Sequence, residues 1–151
     1  MAASVVHDID LHAVELAVRE AERRTTGEVR VALARFYFWG DVWRAAARAF
    51  DRLGMRRTRE RNGVLIFVAP WRRRFAILGD EAVNGLVAPD FWRGLADDLG
   101  RAFQARDATG GLARAIAAIG DQLARHFPAR ENENPNELPD TVAVPGQRDR
   151  R

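Results

Sequence analysis

Residues 61–90 read RNGVLIFVAPWRRRFAILGDEAVNGLVAPD, and the fold is decided there. Residues 64–68 are VLIFV without a polar interruption, as a strand buried on both faces requires. Pro70 and the basic turn at residues 71–74 end that run, and FAIL at 75–78 runs back. The pattern predicts a β-hairpin in an otherwise helical chain. Gly79, Asp80 and Glu81 follow where the second strand stops, which makes that end the place to look for a site.

Upstream, Asp8 or Asp10 caps a first predicted helix reaching about Arg24. Its apolar stripe is Ile9, Ala13, Leu16, Ala17 and Ala21, with Glu15–Arg19 and Glu20–Arg24 as i,i+4 pairs. Thr25-Thr26-Gly27 breaks it, and residues 28–36 alternate as a strand does. Gly40-Asp41 starts a second helix with Val42, Ala46, Ala49, Phe50 and Leu53 inside and Gly54 as its stop. Downstream, Pro89-Asp90 caps a third helix whose Phe91, Trp92, Leu95, Leu99 and Phe103 face inward. Thr109-Gly110-Gly111 opens a fourth, carrying Leu112, Ile116, Ile119 and Leu123.

This order implies an α/β protein, a three-layer α/β/α sandwich with a small mixed central sheet and helices on both faces. The strand at 28–36 and the strand at Gly63–Ala69, joined by a helix, should be parallel. The returning strand is antiparallel to both. Its end therefore lies beside the starts of the other two, bringing Asp80 and Glu81 towards residues 25–28 and 59–62.

At 151 residues, 47% of them hydrophobic and 30% charged, the chain fits one globular domain at residues 1–128. A polar tail at 129–151 follows, with Leu138 and Pro139 as docking points. Without cysteine, disulfides and thiolate metal sites are excluded, so a metal would need oxygen or histidine ligands. The opening MAASVVHDID has neither a basic n-region nor an apolar h-region, and no run approaches a membrane span. A cytoplasmic protein is expected. All 24 basic residues are arginine, and the net charge is only +3. Ten of those arginines lie between positions 44 and 74, while residues beyond Gly79 turn acidic.

The segments TTGEVRVAL (25–33), FDRLGM (50–55), RRTRERNGVLIFVAP (56–70), RRRFAILGDEAVN (72–84), DFWRGLADDL (90–99) and GLARAIAAIGDQLARHFP (111–128) together resemble the TPM domain family. The resemblance spans residues 9–128. It implies an α/β/α sandwich, divalent-cation binding, with calcium or magnesium, and a phosphatase activity attributed to some members. It carries no catalytic residue onto this chain. GDEAVNG (79–85) stands where many relatives have a glycine-rich loop.

Three functional readings follow. In the first, Asp80, Glu81 and Asp90, with Glu28, Asn84 and loop carbonyls, supply oxygens for calcium or magnesium. The competing arrangement has Asp90 capping a helix while Asp80 and Glu81 pair with Arg59 or Arg61. In the second, metal-holding carboxylates beside arginines hydrolyse a phosphomonoester. Against it, no phosphate-cradling glycine loop or HExxH motif is present, and His7, His12 and His126 sit at helix ends. In the third, Arg44, Arg48 and Arg52 form a helical face for an acidic partner, nucleic acid or membrane phosphates. Trp39, Trp43, Trp71 and Trp92 read in part as core or hairpin packing, with a partner or dimer surface as the alternative for Trp39 and Trp43 beside the helix. Without a nucleic-acid motif the partner is a protein or a membrane-associated complex. The preferred reading is a binding or scaffold module with a cation site at the end of the hairpin.

Overall fold

The computed structural model describes residues 9–34 and 40–130, with Trp71 described by its backbone alone. Helix α1 (Leu11–Glu22) leads into β1 (Glu28–Leu33), followed by α2 (Val42–Arg52), β2 (Gly63–Ala69) and β3 (Arg74–Gly79). Three helices complete the domain: α3 (Glu81–Leu86), α4 (Pro89–Gln104) and α5 (Ala108–His126). The sheet order is β1-β2-β3, with β1 and β2 parallel and β2 and β3 antiparallel.

Every residue of β2 is buried. Its alternate residues serve two cores, as the uninterrupted apolar run demands. Val64, Ile66 and Val68 join Val29, Val31 and Leu33 of β1 beneath α1, α4 and α5. Leu65, Phe67 and Ala69 face the other way, with Ala32 and Ala76, against Ala46, Ala49 and Phe50 of α2 and against Met55. The result is the α/β/α sandwich that the sequence implies. No helix of the described residues is long and apolar enough to cross a membrane.

Several elements differ from expectation in instructive ways. Asp10, one of the two expected caps, holds the start of α1, its Oδ1 accepting from the Ala13 N–H at 3.0 Å. The buried stripe of α1 is Val14, Val18 and Ala21, while Leu16 is 49% exposed. The helix is rotated so that its β-branched residues, stiff and compact, pack on the sheet. Glu20 pairs with Arg23 at 3.3 Å, and Arg24 instead reaches across to Asp121 of α5. Asp90 does not cap α4: Ala88 holds the N-cap position, Pro89 fills the first turn, and Asp90 pairs with Arg93 at 3.2 Å. Asp107, two residues ahead of the expected opening, caps α5. The end of the expected first strand, Trp39, His7 and the tail beyond Arg130, with Leu138 and Pro139, lie outside the described residues.

Helix packing in the three-helix layer rests on close approach. A Cβ on Gly120 of α5 would stand 2.7 Å from Cβ of Ala21 on α1, whereas Gly100, inside α4, has nothing within 4 Å of that position. Two apparently similar helix-stabilising changes should therefore separate. Gly100→Ala should gain about 0.5–1 kcal/mol through helix propensity alone. Gly120→Ala should lose about 1–3 kcal/mol because the helices must move apart. Urea denaturation of both variants checks this, and equal shifts would contradict the packing.

Candidate ionic site at the sheet end

The site is built where three strands meet at one end of the sheet. Glu28 opens β1 opposite Gly63, and Val64 of β2 pairs with Gly79 at the close of β3. The chain leaving β3 stays attached, since the Asp80 N–H donates to the Gly63 carbonyl at 2.9 Å. Asp80 then caps α3, a short helix that the sequence reading did not anticipate. Its Oδ1 accepts from the Glu81 N–H at 2.8 Å.

Arg61 grips the same carboxylate from the loop before β2. Its Nε donates to Asp80 Oδ2 at 2.8 Å and its NH2 to Asp80 Oδ1 at 3.0 Å, a two-point contact. The Arg61 carbonyl also accepts from the Ala82 N–H at 3.2 Å. The Asp80 carboxylate and the Arg61 carbonyl thus accept from the Glu81 and Ala82 amides of the first turn of α3, which have no partners within the helix, while the Arg61 side chain holds that carboxylate in place. Arg61 adopts a left-handed backbone, φ 52°, to do this. Such a conformation is uncommon for a residue with a Cβ and carries a cost that the surrounding bonds must outweigh.

Asp80 is buried while the Arg61 side chain is 37% exposed and that of Glu81 78%. Burial pushes the Asp80 carboxyl up. The Arg61 hydrogen bonds, the Glu81 N–H and the charges of Arg61 and Arg56 outweigh it and hold the group below the usual carboxylate range. Glu81 lies at the margin of the pair, its Oε1 3.8 Å from Arg61 NH2.

A second network lies on the neighbouring loops. Thr26 Oγ1 donates to Glu60 Oε2, and Asn62 Nδ2 donates to Glu60 Oε2 at 3.1 Å and to Thr26 Oγ1 at 3.2 Å. Arg130 closes it from the far end of the domain, with NH2 donating to Glu60 Oε1 at 2.7 Å. Asn62 is fully enclosed, and its Oδ1 accepts no hydrogen bond from the described residues.

Of the five residues named from sequence, Asp80 and Glu81 share Arg61. Glu28 is buried at the start of β1, with Gly63 between it and the Asp80 strand. Asn84 turns back within its own segment, Nδ2 donating to the Gly79 carbonyl at 2.7 Å. Asp90 is exposed on α4. Among the described residues, no three His, Cys, Asp or Glu side chains are grouped so as to hold a metal ion. The topology read from the sequence brings Asp80 beside residues 59–62, and Arg61 is one of the two partners it offered for Asp80. The Glu60, Thr26 and Asn62 network was legible only as neighbouring segments, and nothing marked Arg130, which arrives from 70 positions away.

The family profile of the TPM domain matches residues 2–122. The chain belongs to the TPM-domain family. Its fold is shared with a solved relative, the NMR structure of BA42 protein from the psychrophilic bacteria Bizionia argentinensis sp. nov., at a TM-score of 0.81 and 35% identity, over 89% of this chain and 91% of that one. No curated protein matches.

In this TPM domain the Asp80 carboxyl ionises more readily folded than unfolded. Its contribution to stability is complete above the unfolded carboxyl pKa of about 4 and is lost as pH falls through the lower folded value. The urea midpoint of the wild type should therefore fall more steeply between about pH 5 and pH 2 than that of Asp80→Asn, which keeps a capping group but no charge. At neutral pH, Asp80→Ala should cost about 2 kcal/mol, the cap and the half-exposed ion pair together. Parallel pH profiles for wild type and Asp80→Asn would contradict the assignment.

Proposed function

We propose that this TPM domain is a binding module and not an enzyme, and that its exchangeable ionic site is the Asp80 end of the sheet. The two-point Arg61–Asp80 contact carries this reading. A buried carboxylate at the sheet end already holds a cationic group, and that group belongs to a side chain with access to solvent. A divalent cation fits here in exchange for the guanidinium: Arg61 swings outward, and Asp80 and Glu81 offer their oxygens to the ion. Magnesium suits such a site, because it binds through one or two carboxylates and keeps several waters. Calcium prefers roughly six to eight oxygens and would take more of them from solvent. Glu28, Asn84 and Asp90 contribute to this reading only after rearrangement, Glu28 being buried at the start of β1, Asn84 bonded to the Gly79 carbonyl and Asp90 paired with Arg93.

A phosphomonoester hydrolase is favoured less. Such chemistry needs a nucleophile or general base beside the metal, and the sequence offers no nucleophile with an obvious base. A cytoplasmic location belongs to the same proposal.

Calorimetric titration with calcium chloride and magnesium chloride tests the exchange. Arg61→Gln should bind at least about tenfold more tightly than wild type, a gain of about 1.4 kcal/mol from removing the competing cation. Asp80→Asn should abolish binding in either background. Equal affinities for wild type and Arg61→Gln, or binding that survives Asp80→Asn, would contradict it. Turnover of a phosphomonoester that disappears in Asp80→Asn would replace the binding module with an enzyme.

A further inference from the structure

The outer surface of α2 is the part of the molecule that neither core nor ionic site uses. Trp43, Arg44, Ala47, Arg48, Asp51 and Arg52 are all exposed there. Trp43 is 57% exposed, as the surface alternative for this indole and not the packed one requires. Arg44, Arg48 and Arg52 recur every fourth residue, so they form one row along the helix. None has a carboxylate partner among the described residues. The two acids nearby are engaged: Asp51 with Arg56 at 2.8 Å, and Asp41 with the Trp43 N–H at 2.8 Å. Like charges at this spacing weaken a helix, so the row is held against a local cost.

The row continues onto the hairpin turn. Arg72 donates to the Gly40 carbonyl just before α2, which places exposed Arg73 and Arg74 beside the Trp43 end. Between positions 40 and 74 the chain carries ten arginines against three carboxylates, and elsewhere fourteen against eighteen. The face formed by Asp41, α2 and the hairpin turn itself carries six arginines against two carboxylates and is positive. A field of that shape orients the domain in front of a negatively charged surface.

We propose that the α2 face docks on an anionic lipid bilayer, with Arg44, Arg48 and Arg52 against lipid phosphates and Trp43 entering the headgroup region. Charge complementarity selects a polyanion, and Trp43 selects among polyanions. An indole gains by lying at a membrane–water interface, where its ring is sheltered and its N–H stays hydrated. Arginine stems spread over apolar surface while their heads remain with phosphate. The surface is the convex back of a single helix, suited to an extended plane. Reading nucleic acid would call for stacking aromatics or a groove following the backbone, and the α2 face presents one indole on a rounded helix. Arginine rather than lysine adds two-point contacts to phosphate oxygens.

Sedimentation of the full chain with vesicles tests this, using phosphatidylcholine alone and phosphatidylcholine mixed with phosphatidylglycerol. The protein should pellet with the mixed vesicles at low salt, stay in solution with the neutral ones, and be released in about 1 M salt, where charges are screened beyond about 3 Å. Each arginine changed to Gln, in Arg44→Gln, Arg48→Gln and Arg52→Gln, should lower partitioning about fivefold. Trp43→Ala should lower it without altering the salt dependence. Circular dichroism confirms folding, and Arg48→Gln alone serves if the triple variant fails to fold. Equal binding to neutral vesicles, no binding to anionic ones, or binding unchanged in the Arg→Gln variants would overturn the proposal. So would preferential capture by a DNA or RNA oligonucleotide competing with the vesicles at the same salt, which would make the row a nucleic-acid surface.

Discussion

A strand with no side exposed to water dictates the architecture. All seven residues of β2 are buried, so the chain must supply an apolar layer on each face and a hydrogen-bonded neighbour along each edge. Helices α1, α4 and α5 cover one face, α2 and Met55 the other, and β1 and β3 flank the strand. Apart from Arg30, buried within β1, charged groups are then kept out of the middle of the sheet and collect on the outer helix surfaces and at the strand ends. The ionic site and the arginine row are the two places where that exclusion leaves charge concentrated.

The sheet end illustrates how such charge is stabilised. Mixed topology sets the start of β2 beside the finish of β3, so a loop arginine and a helix-capping aspartate meet without long-range adjustment of the backbone. Burying Asp80 alone would be unfavourable. Two guanidinium bonds and one amide bond offset that desolvation, and the same bonds pin the first turn of α3 to the sheet. Because Arg61 remains partly in water, the arrangement is neither a fully buried ion pair nor a loose surface one. That intermediate character lets one contact stabilise the fold while its guanidinium stays within reach of solvent.

Much of this was legible in the sequence, for specific physical reasons. The apolar run at 64–68 has one sensible reading, and the basic turn with its returning FAIL segment makes a hairpin of it. Parallel pairing across an intervening helix then places Asp80 beside residues 59–62. Other features depend on choices that a sequence pattern does not resolve. The stripe of α1 is one: Leu16 and Val14 are both apolar, and only packing against the sheet decides which turns inward. The short α3 is another, six residues whose helical character rests on a cap completed by a distant arginine. Asp90 was read as a cap because it precedes an apolar helix, yet Pro89 had already set the first turn one position earlier. The five oxygen-bearing residues were grouped by topology, but their side chains diverge: Asp80 and Glu81 turn to Arg61, Asn84 to the Gly79 carbonyl and Asp90 to Arg93.

The central claim is that Asp80 is held by Arg61, and a double-mutant cycle between the two addresses it most directly. Arg61→Ala, Asp80→Ala and the double variant would be compared by urea denaturation at neutral pH and at about pH 2. A coupling of about 1–2 kcal/mol at neutral pH, largely lost in acid when the carboxyl is protonated, is the predicted result. Additivity of the two substitutions to within about 0.3 kcal/mol at neutral pH would contradict it.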